Sequence, residues 1–255
     1  MHENEKPVIA VCGKGGVGKT VFSALLARVL LEEGLKPLLL VDADPVGGLT
    51  SAIGEKPENT LAGVRDGFIG EVRKSGKAGA EQAAGQLDFF VFSALTERDG
   101  FAMLAMGRNR EKGCFCPANK LLRNAIEKLI PGFACVLIDA EAGIEQINRD
   151  VTERVTKIIV VVDGSVRSMD TLKMITSMVD KENVAVVLNR AHSGIVPDIP
   201  VGVGYLGFIP EDDELRRYDL EGKPLWMLPE NSRGLDAVRR IARLINFEQK
   251  EISHV

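Results

Sequence analysis

A short apolar run, Val8-Ile9-Ala10-Val11-Cys12, leads directly into Gly13-Lys14-Gly15-Gly16-Val17-Gly18-Lys19-Thr20. Apolar residues at helical spacing follow from Val21 to Leu31. Strand, glycine-rich turn and helix are the context that a G-x-x-x-x-G-K-[ST] phosphate loop requires. Phosphate oxygens must come close to main-chain amides, so side chains are a hindrance and glycine is used. The helix opening near Lys19 adds the partial positive charge of its N-terminus. The Lys19 ammonium can reach β and γ phosphates, and the Thr20 hydroxyl can ligate magnesium. The competing reading is a glycine-rich turn that carries Lys-Thr by coincidence, and the flanking strand and helix weigh against it.

A second buried run, Leu38 to Val41, is left through Asp42-Ala43-Asp44-Pro45, so the chain opens with a βαβ unit whose strands are parallel. Further strands are expected at 89–92, at 136–138 ending in Asp139, at 157–162 ending in Asp163, at 184–188 ending in Asn189, and at 203–209. Helices are expected at 118–130, 169–179 and 235–247, with helices and loops of weak pattern from 55 to 86. The fold class is therefore α/β, a mostly parallel sheet with helices on both faces, and residues 1–255 read as a single P-loop domain. Polar residues gather where the strands end, the place at which open α/β sheets bind ligands.

Composition narrows the partners. The formal charge of −4 offers no general basic surface, so no nucleic acid is expected. No apolar run is long enough to cross a bilayer, and the start lacks a signal-peptide core, which points to a cytoplasmic protein. The amphipathic helix near the end is expected to pack on the sheet rather than on a membrane. In a reducing compartment the four cysteines suit metal binding or burial better than disulfides. Cys12 and Cys135 belong to strands and read as core residues.

Several strand-end groups suit nucleotide chemistry. Asp42 and Asp44 lie beside the phosphate loop, Asp42 as a support of the loop or of the magnesium shell; aspartates before proline also make turns. Asp139 can hold a water on magnesium, and the Gly143 amide can sense a γ-phosphate, in a segment able to order and relax. Alone, such an aspartate also suits a helix cap. Asn189 can meet a purine amide edge, and His192 stands where guanine readers need a carboxylate, which favours adenine. The run Glu211 to Glu214 reads as a helix start.

Gly113-Cys114-Phe115-Cys116-Pro117 presents two thiolates on one side of an extended segment. A structural zinc site takes four ligands, and a twofold dimer would supply them from two copies. A C-x-C pair alone is a weak motif, and its metal can be zinc or nickel.

With Lys14, the loop K-G-G-V-G-K-T resembles the deviant phosphate loop of the SIMIBI class, which includes MinD, ParA, the nitrogenase iron protein and the Mrp scaffolds. That resemblance implies that Lys14 crosses a dimer interface to the partner's nucleotide; a solvated loop lysine is the plainer alternative. It also implies that D-x-D-P is a switch in which Asp44 orients the attacking water, and that Ile209-Pro210-Glu211-Asp212 flanks an adenine through its main chain. The loop, C-F-C-P and Asp139-Ala-Glu-Ala-Gly143-Ile144-Glu145 together closely resemble the CooC-type ATPases that mature nickel carbon monoxide dehydrogenase. This resemblance, from Val8 to about Phe247, implies a homodimer that hydrolyses ATP to ADP with magnesium. It also implies zinc or nickel at Cys114 and Cys116 and a nickel metalloenzyme client. Val21 departs from relatives that carry a second threonine there. Two rivals stay open: a ParA- or MinD-like positioning ATPase, and an Mrp-like iron–sulfur scaffold.

Overall fold

The computed structural model describes residues 6–67, 91–108, 125–140, 154–191 and 197–245. Among these, eight strands form one sheet: β1 (Val8–Cys12), β2 (Leu38–Asp42), β3 (Leu95–Arg98), β4 (Phe101–Ala105), β5 (Cys135–Asp139), β6 (Lys157–Val162), β7 (Val184–Ala191) and β8 (Gly204–Pro210). Their order across the sheet is β3-β4-β2-β5-β1-β6-β7-β8. The β3–β4 pair is antiparallel and every other neighbouring pair is parallel. The named helices are α1 (Lys19–Glu32), α2 (Gly48–Ile53), α3 (Val166–Met178), α4 (Asp213–Glu221) and α5 (Arg233–Leu244).

The strands of a parallel sheet are covered on both faces, which is why β1, β2 and β5 are buried from end to end and apolar except for the aspartates that close β2 and β5. Alternate side chains separate into two cores. Ile9, Val11, Leu38, Leu40, Leu137, Ile159 and Val161 meet α1, α2 and α5. Val8, Ala10, Leu39, Val41, Val136, Ile138 and Val160 meet Leu172 and Ile175 of α3 and Ile126. Helix α1 is buried nearly all round, through Phe22, Leu25, Leu26, Val29 and Leu30, because α2 and α5 pack on it from outside the sheet. The indole of Trp226 donates to the Ala24 carbonyl at 2.7 Å, which ties the segment before α5 to the same helix.

The terminal helix buries Leu235, Ala237, Val238 and Ile241 against β8 and α1, as its amphipathic pattern requires. Cys12 and Cys135 are buried core residues, and burial pushes both thiols up to about 12. Asp212 caps α4 by accepting from the amides of Glu214 and Leu215, so the acidic run is indeed a helix start.

One expected strand is wrong. Within 89–92, Val91 and Phe92 fall in a helical turn, and residues 89–90 lie outside the described residues. The strands of this region are β3 and β4. A four-residue apolar run has no period of its own, so a buried helix end and a strand look alike in sequence. The usable signal was Asp99-Gly100, a two-residue hairpin turn with Gly100 at φ 81°. Helix α3 also starts earlier than its apolar spacing suggests, because Ser165 caps it through the Ser168 amide. Of the helix expected at 118–130, residues 125–129 are helical and 118–124 lie outside the described residues.

Candidate functional site

Six strands deliver candidate site residues to one edge of the sheet: Gly13 after β1, Asp42 from β2, Asp139 from β5, Asp163 after β6, Asn189 from β7 and Pro210 from β8. Because β1 lies between β5 and β6, the loop from Gly13 to Thr20 sits at the centre of that edge. Two glycines there are dictated by space. At Gly13, with φ 141°, a Cβ would stand 2.3 Å from the Val161 carbonyl oxygen. At Gly18, with φ 94°, a Cβ would stand 2.2 Å from Nδ2 of Asn189.

Lys19 is buried at the head of α1, and its Nζ donates to the Lys14 carbonyl at 3.3 Å. Its neighbour Thr20 donates from Oγ1 to Oδ2 of Asp139 at 2.8 Å. One turn further along α1, Ser23 donates from Oγ to Oδ1 of the same carboxylate at 2.8 Å. Sequence reasoning missed Ser23; its place three residues after Thr20 on one helix face is the signal that could have found it. Burial raises the Asp139 pKa, while the Thr20 and Ser23 hydrogen bonds and the Lys19 charge oppose that rise.

Asp42 pairs with Asp139 across β2 and β5 and is fully buried. Its Oδ2 accepts from the Thr50 amide at 2.9 Å and its Oδ1 from the Asp44 amide at 3.3 Å. Burial pushes its pKa up to about 7, against the Thr50 hydrogen bond and with the help of Asp139. These contacts tie Asp42 to the segment from Asp44 to Thr50 rather than to the phosphate loop itself. Asp44 accepts from the Val46 amide through Oδ1 at 2.7 Å. A Cβ placed on Gly48 would lie 3.5 Å from Thr20 Oγ1 and 3.8 Å from Asp44 Oδ2, so both oxygens border one small space. A hydroxyl beside carboxylates is a hard oxygen donor set suited to magnesium, and a cation there would reverse the raised Asp139 pKa.

Beside the loop opens a cavity of about 370 Å³ lined by Gly18, Val21, Asn189, Arg190, Pro210 and the first turns of α4. Its size suits a small-molecule ligand. The structure thus brings together Asn189, Pro210, Val21 and the phosphate loop, which are far apart in sequence. Asn189 Nδ2 donates to the Val17 carbonyl at 2.7 Å, so part of the amide expected to read a base is engaged with the loop. Arg190, which sequence reasoning passed over, has φ 55°, a left-handed conformation costing about 1–2 kcal/mol for a residue other than glycine.

Gly143, His192, Cys114 and Cys116 lie outside the described residues. Among the described residues no group of three or more His, Cys, Asp or Glu side chains converges as a metal cage. No helix among them is long and apolar enough to cross a membrane.

Residues 8–225 match the family described as CobQ/CobB/MinD/ParA nucleotide binding domain. An uncharacterised ATP-binding protein of Methanocaldococcus jannaschii is 34% identical over 93% of this chain and 98% of its own length. The carbon monoxide dehydrogenase accessory protein CooC of Rhodospirillum rubrum is 30% identical over 84% of this chain and 87% of its own length. Among solved structures, a ParA family ATPase from Chlorobium tepidum TLS superimposes with a TM-score of 0.70 at 18% identity, covering 96% of this chain and 100% of that one.

Proposed function

The chain belongs to the CobQ/CobB/MinD/ParA nucleotide-binding family, and on that premise we propose that it is a homodimeric ATPase that assists nickel insertion into a metalloenzyme such as carbon monoxide dehydrogenase. The ATPase reading rests on the Thr20–Asp139–Ser23 hydrogen-bond set at the head of α1, next to the phosphate loop and the 370 Å³ cavity. Adenine would enter that cavity along Asn189 and Pro210, and the polyphosphate would lie over Gly13 to Thr20.

Each side chain then has a physical task. Lys19 at the helix head neutralises β and γ oxygens. Thr20 and Asp139 would hold magnesium, which supplies further positive charge to the phosphates. Asp42 anchors the start of the switch segment from below through the Asp44 and Thr50 amides. Asp44, whose Oδ2 borders the Thr20 space, orients the attacking water. Lys14 acts on the partner's nucleotide, and Gly143 reports the γ-phosphate. A nucleotide that contacts both subunits favours their closed pairing, and hydrolysis removes that differential contact.

The nickel-maturation reading rests on the Cys114-Phe-Cys116 pair together with 30% identity to CooC. Two copies of the pair would place four thiolates around one zinc or nickel ion. The test is metal analysis of the isolated dimer beside Cys114→Ser with Cys116→Ser. One ion per wild-type dimer, lost in the double variant with the ATP site intact, supports the reading. Undiminished metal in the double variant refutes it. The second reading is a ParA- or MinD-like positioning ATPase, favoured by the overlay on the ParA family enzyme, a likeness of fold. It predicts ATP-dependent binding to DNA or lipid vesicles and a metal-free dimer.

A further inference from the structure

Two adjacent side chains at the end of β7 grip two adjacent carbonyls of the phosphate loop. Asn189 Nδ2 donates to the Val17 carbonyl at 2.7 Å. Arg190 Nη1 donates to the Gly16 carbonyl at 3.2 Å. The two residues are also tied to each other, since the Arg190 amide donates to Asn189 Oδ1 at 3.0 Å.

The geometry has a consequence for the loop. In a trans peptide the C=O and the following N–H point in opposite directions across one plane. The Gly16 carbonyl shares its plane with the Val17 amide, and the Val17 carbonyl shares its plane with the Gly18 amide. Holding both carbonyls toward β7 turns both amides away from β7. Successive main-chain amides facing one way are the arrangement that binds a phosphate.

Arg190 reaches this position by a local irregularity of the sheet. The pairing of β7 with β8 slips between Asn189 and Ala191, leaving Arg190 as the extra residue. Among the described residues it is the one non-glycine with positive φ. A bulge of this kind re-aims a side chain, here across the loop. Arg190 is otherwise exposed, so burial does not explain its conformation. The close approach of the strand end to the loop is independently marked by Gly18, where any Cβ would collide with Asn189.

We propose that Arg190 is a positioning residue of the phosphate loop: together with Asn189 it holds two successive loop carbonyls outward, so that the Val17 and Gly18 amides are set for a bound polyphosphate before the ligand arrives. The inference rests on the nucleotide-site reading above. It assigns Arg190 to the polyphosphate half of the ligand, although Arg190 also borders the cavity assigned to the base.

Pyrophosphate, ADP and adenosine separate these roles. Pyrophosphate probes the loop alone, adenosine the cavity alone, and ADP both. Affinities are measured by calorimetry for the first two and by NMR titration for adenosine, on the full chain. Two variants are compared. Arg190→Gly removes the guanidinium and relieves the left-handed backbone; Arg190→Ala removes the guanidinium and keeps the backbone demand. In both, the Kd for pyrophosphate and for ADP should rise about tenfold, the loss of one charge-assisted hydrogen bond that orders the site. Adenosine affinity should stay within about twofold. Thermal melting of Arg190→Gly should not fall below wild type, which separates loop positioning from a general loss of structure. Unchanged pyrophosphate and ADP affinity in both variants overturns the proposal. An equal loss for adenosine also overturns it, because Arg190 would then be contacting the nucleoside. A wild-type chain that binds adenosine but neither ADP nor pyrophosphate overturns the nucleotide-site reading, and the role of Arg190 with it.

Discussion

Asp212 connects two helices and a wall of the cavity, and its removal should be felt at all three. Its Oδ1 accepts from the amides of Glu214 at 2.9 Å and Leu215 at 3.1 Å, capping α4. Its Oδ2 accepts from the Ser232 hydroxyl at 2.8 Å and the Gly234 amide at 2.9 Å, where α5 begins. The hydrogen bonds hold its pKa below the ordinary carboxylate value despite partial burial. Loss of an N-cap costs about 1 kcal/mol. Bonds to an ionised acceptor that bridges two helices are worth about 1.5–3 kcal/mol together, taken at the low end because Asp212 is partly exposed. Asp212→Ala should therefore destabilise the fold by about 2–3 kcal/mol. For a chain of this size that lowers Tm by about 4–12 °C.

Asp212→Asn distinguishes the two halves of the effect. Its amide oxygen can still cap α4, whereas its NH₂ group cannot accept from Gly234. It should lose about half as much as Asp212→Ala. The sign of the pH effect follows from the depressed pKa: the carboxylate's contribution is present above about pH 4, the unfolded value, and is lost as pH falls through the lower folded value. The assay is thermal melting followed by circular dichroism at pH 7 and at pH 3.5. An unchanged Tm for Asp212→Ala, or a wild-type Tm for Asp212→Asn, would show that the bridge between α4 and α5 is not what holds this corner.

Gly13→Ala should reduce ADP affinity by more than tenfold, because its Cβ would collide with the Val161 carbonyl oxygen and the loop must move; titration calorimetry checks it. Lys19→Ala should abolish ATP binding, whereas Lys14→Ala should bind ATP nearly as wild type but turn it over more slowly; full ATPase activity in Lys14→Ala would refute the role proposed for it across a dimer interface. Despite some burial, hydrogen bonds from Ser165 and Ser168 pull the Asp163 carboxyl down to about 2. Its stabilising effect is thus complete above about pH 4 and disappears toward pH 2, and Ser165→Ala should flatten the acid limb of a pH–melting curve over that interval. ATP should outcompete GTP in a displacement titration, and equal affinities would place base selection away from residues 189–192.

The phosphate loop was legible before any coordinates, because its chemistry depends on residues adjacent in sequence: glycines that admit phosphate, a lysine and a threonine at a helix start. The parallel sheet was legible for a similar reason. Strands covered on both faces must be apolar along their length, and β1, β2 and β5 are, up to the aspartates that end β2 and β5. The cap at Asp212 could be read from local acid content, but its second pair of bonds, to Ser232 and Gly234, could not. Strands β3 and β4 were missed because a short apolar run carries no period, although Asp99-Gly100 marked their turn. What only the tertiary structure decided is how strand ends distant in sequence meet. Asp139 takes hydrogen bonds from Thr20 and Ser23 because β5 lies beside β1. Asn189 and Arg190 grip the loop because β7 ends across from it with a slipped register. Hydrophobic patterning specifies which face of a strand is buried, but not which strand lies next to it. That neighbour relation is fixed by packing both faces of the sheet at once, and it determines which polar groups at the strand ends can act together.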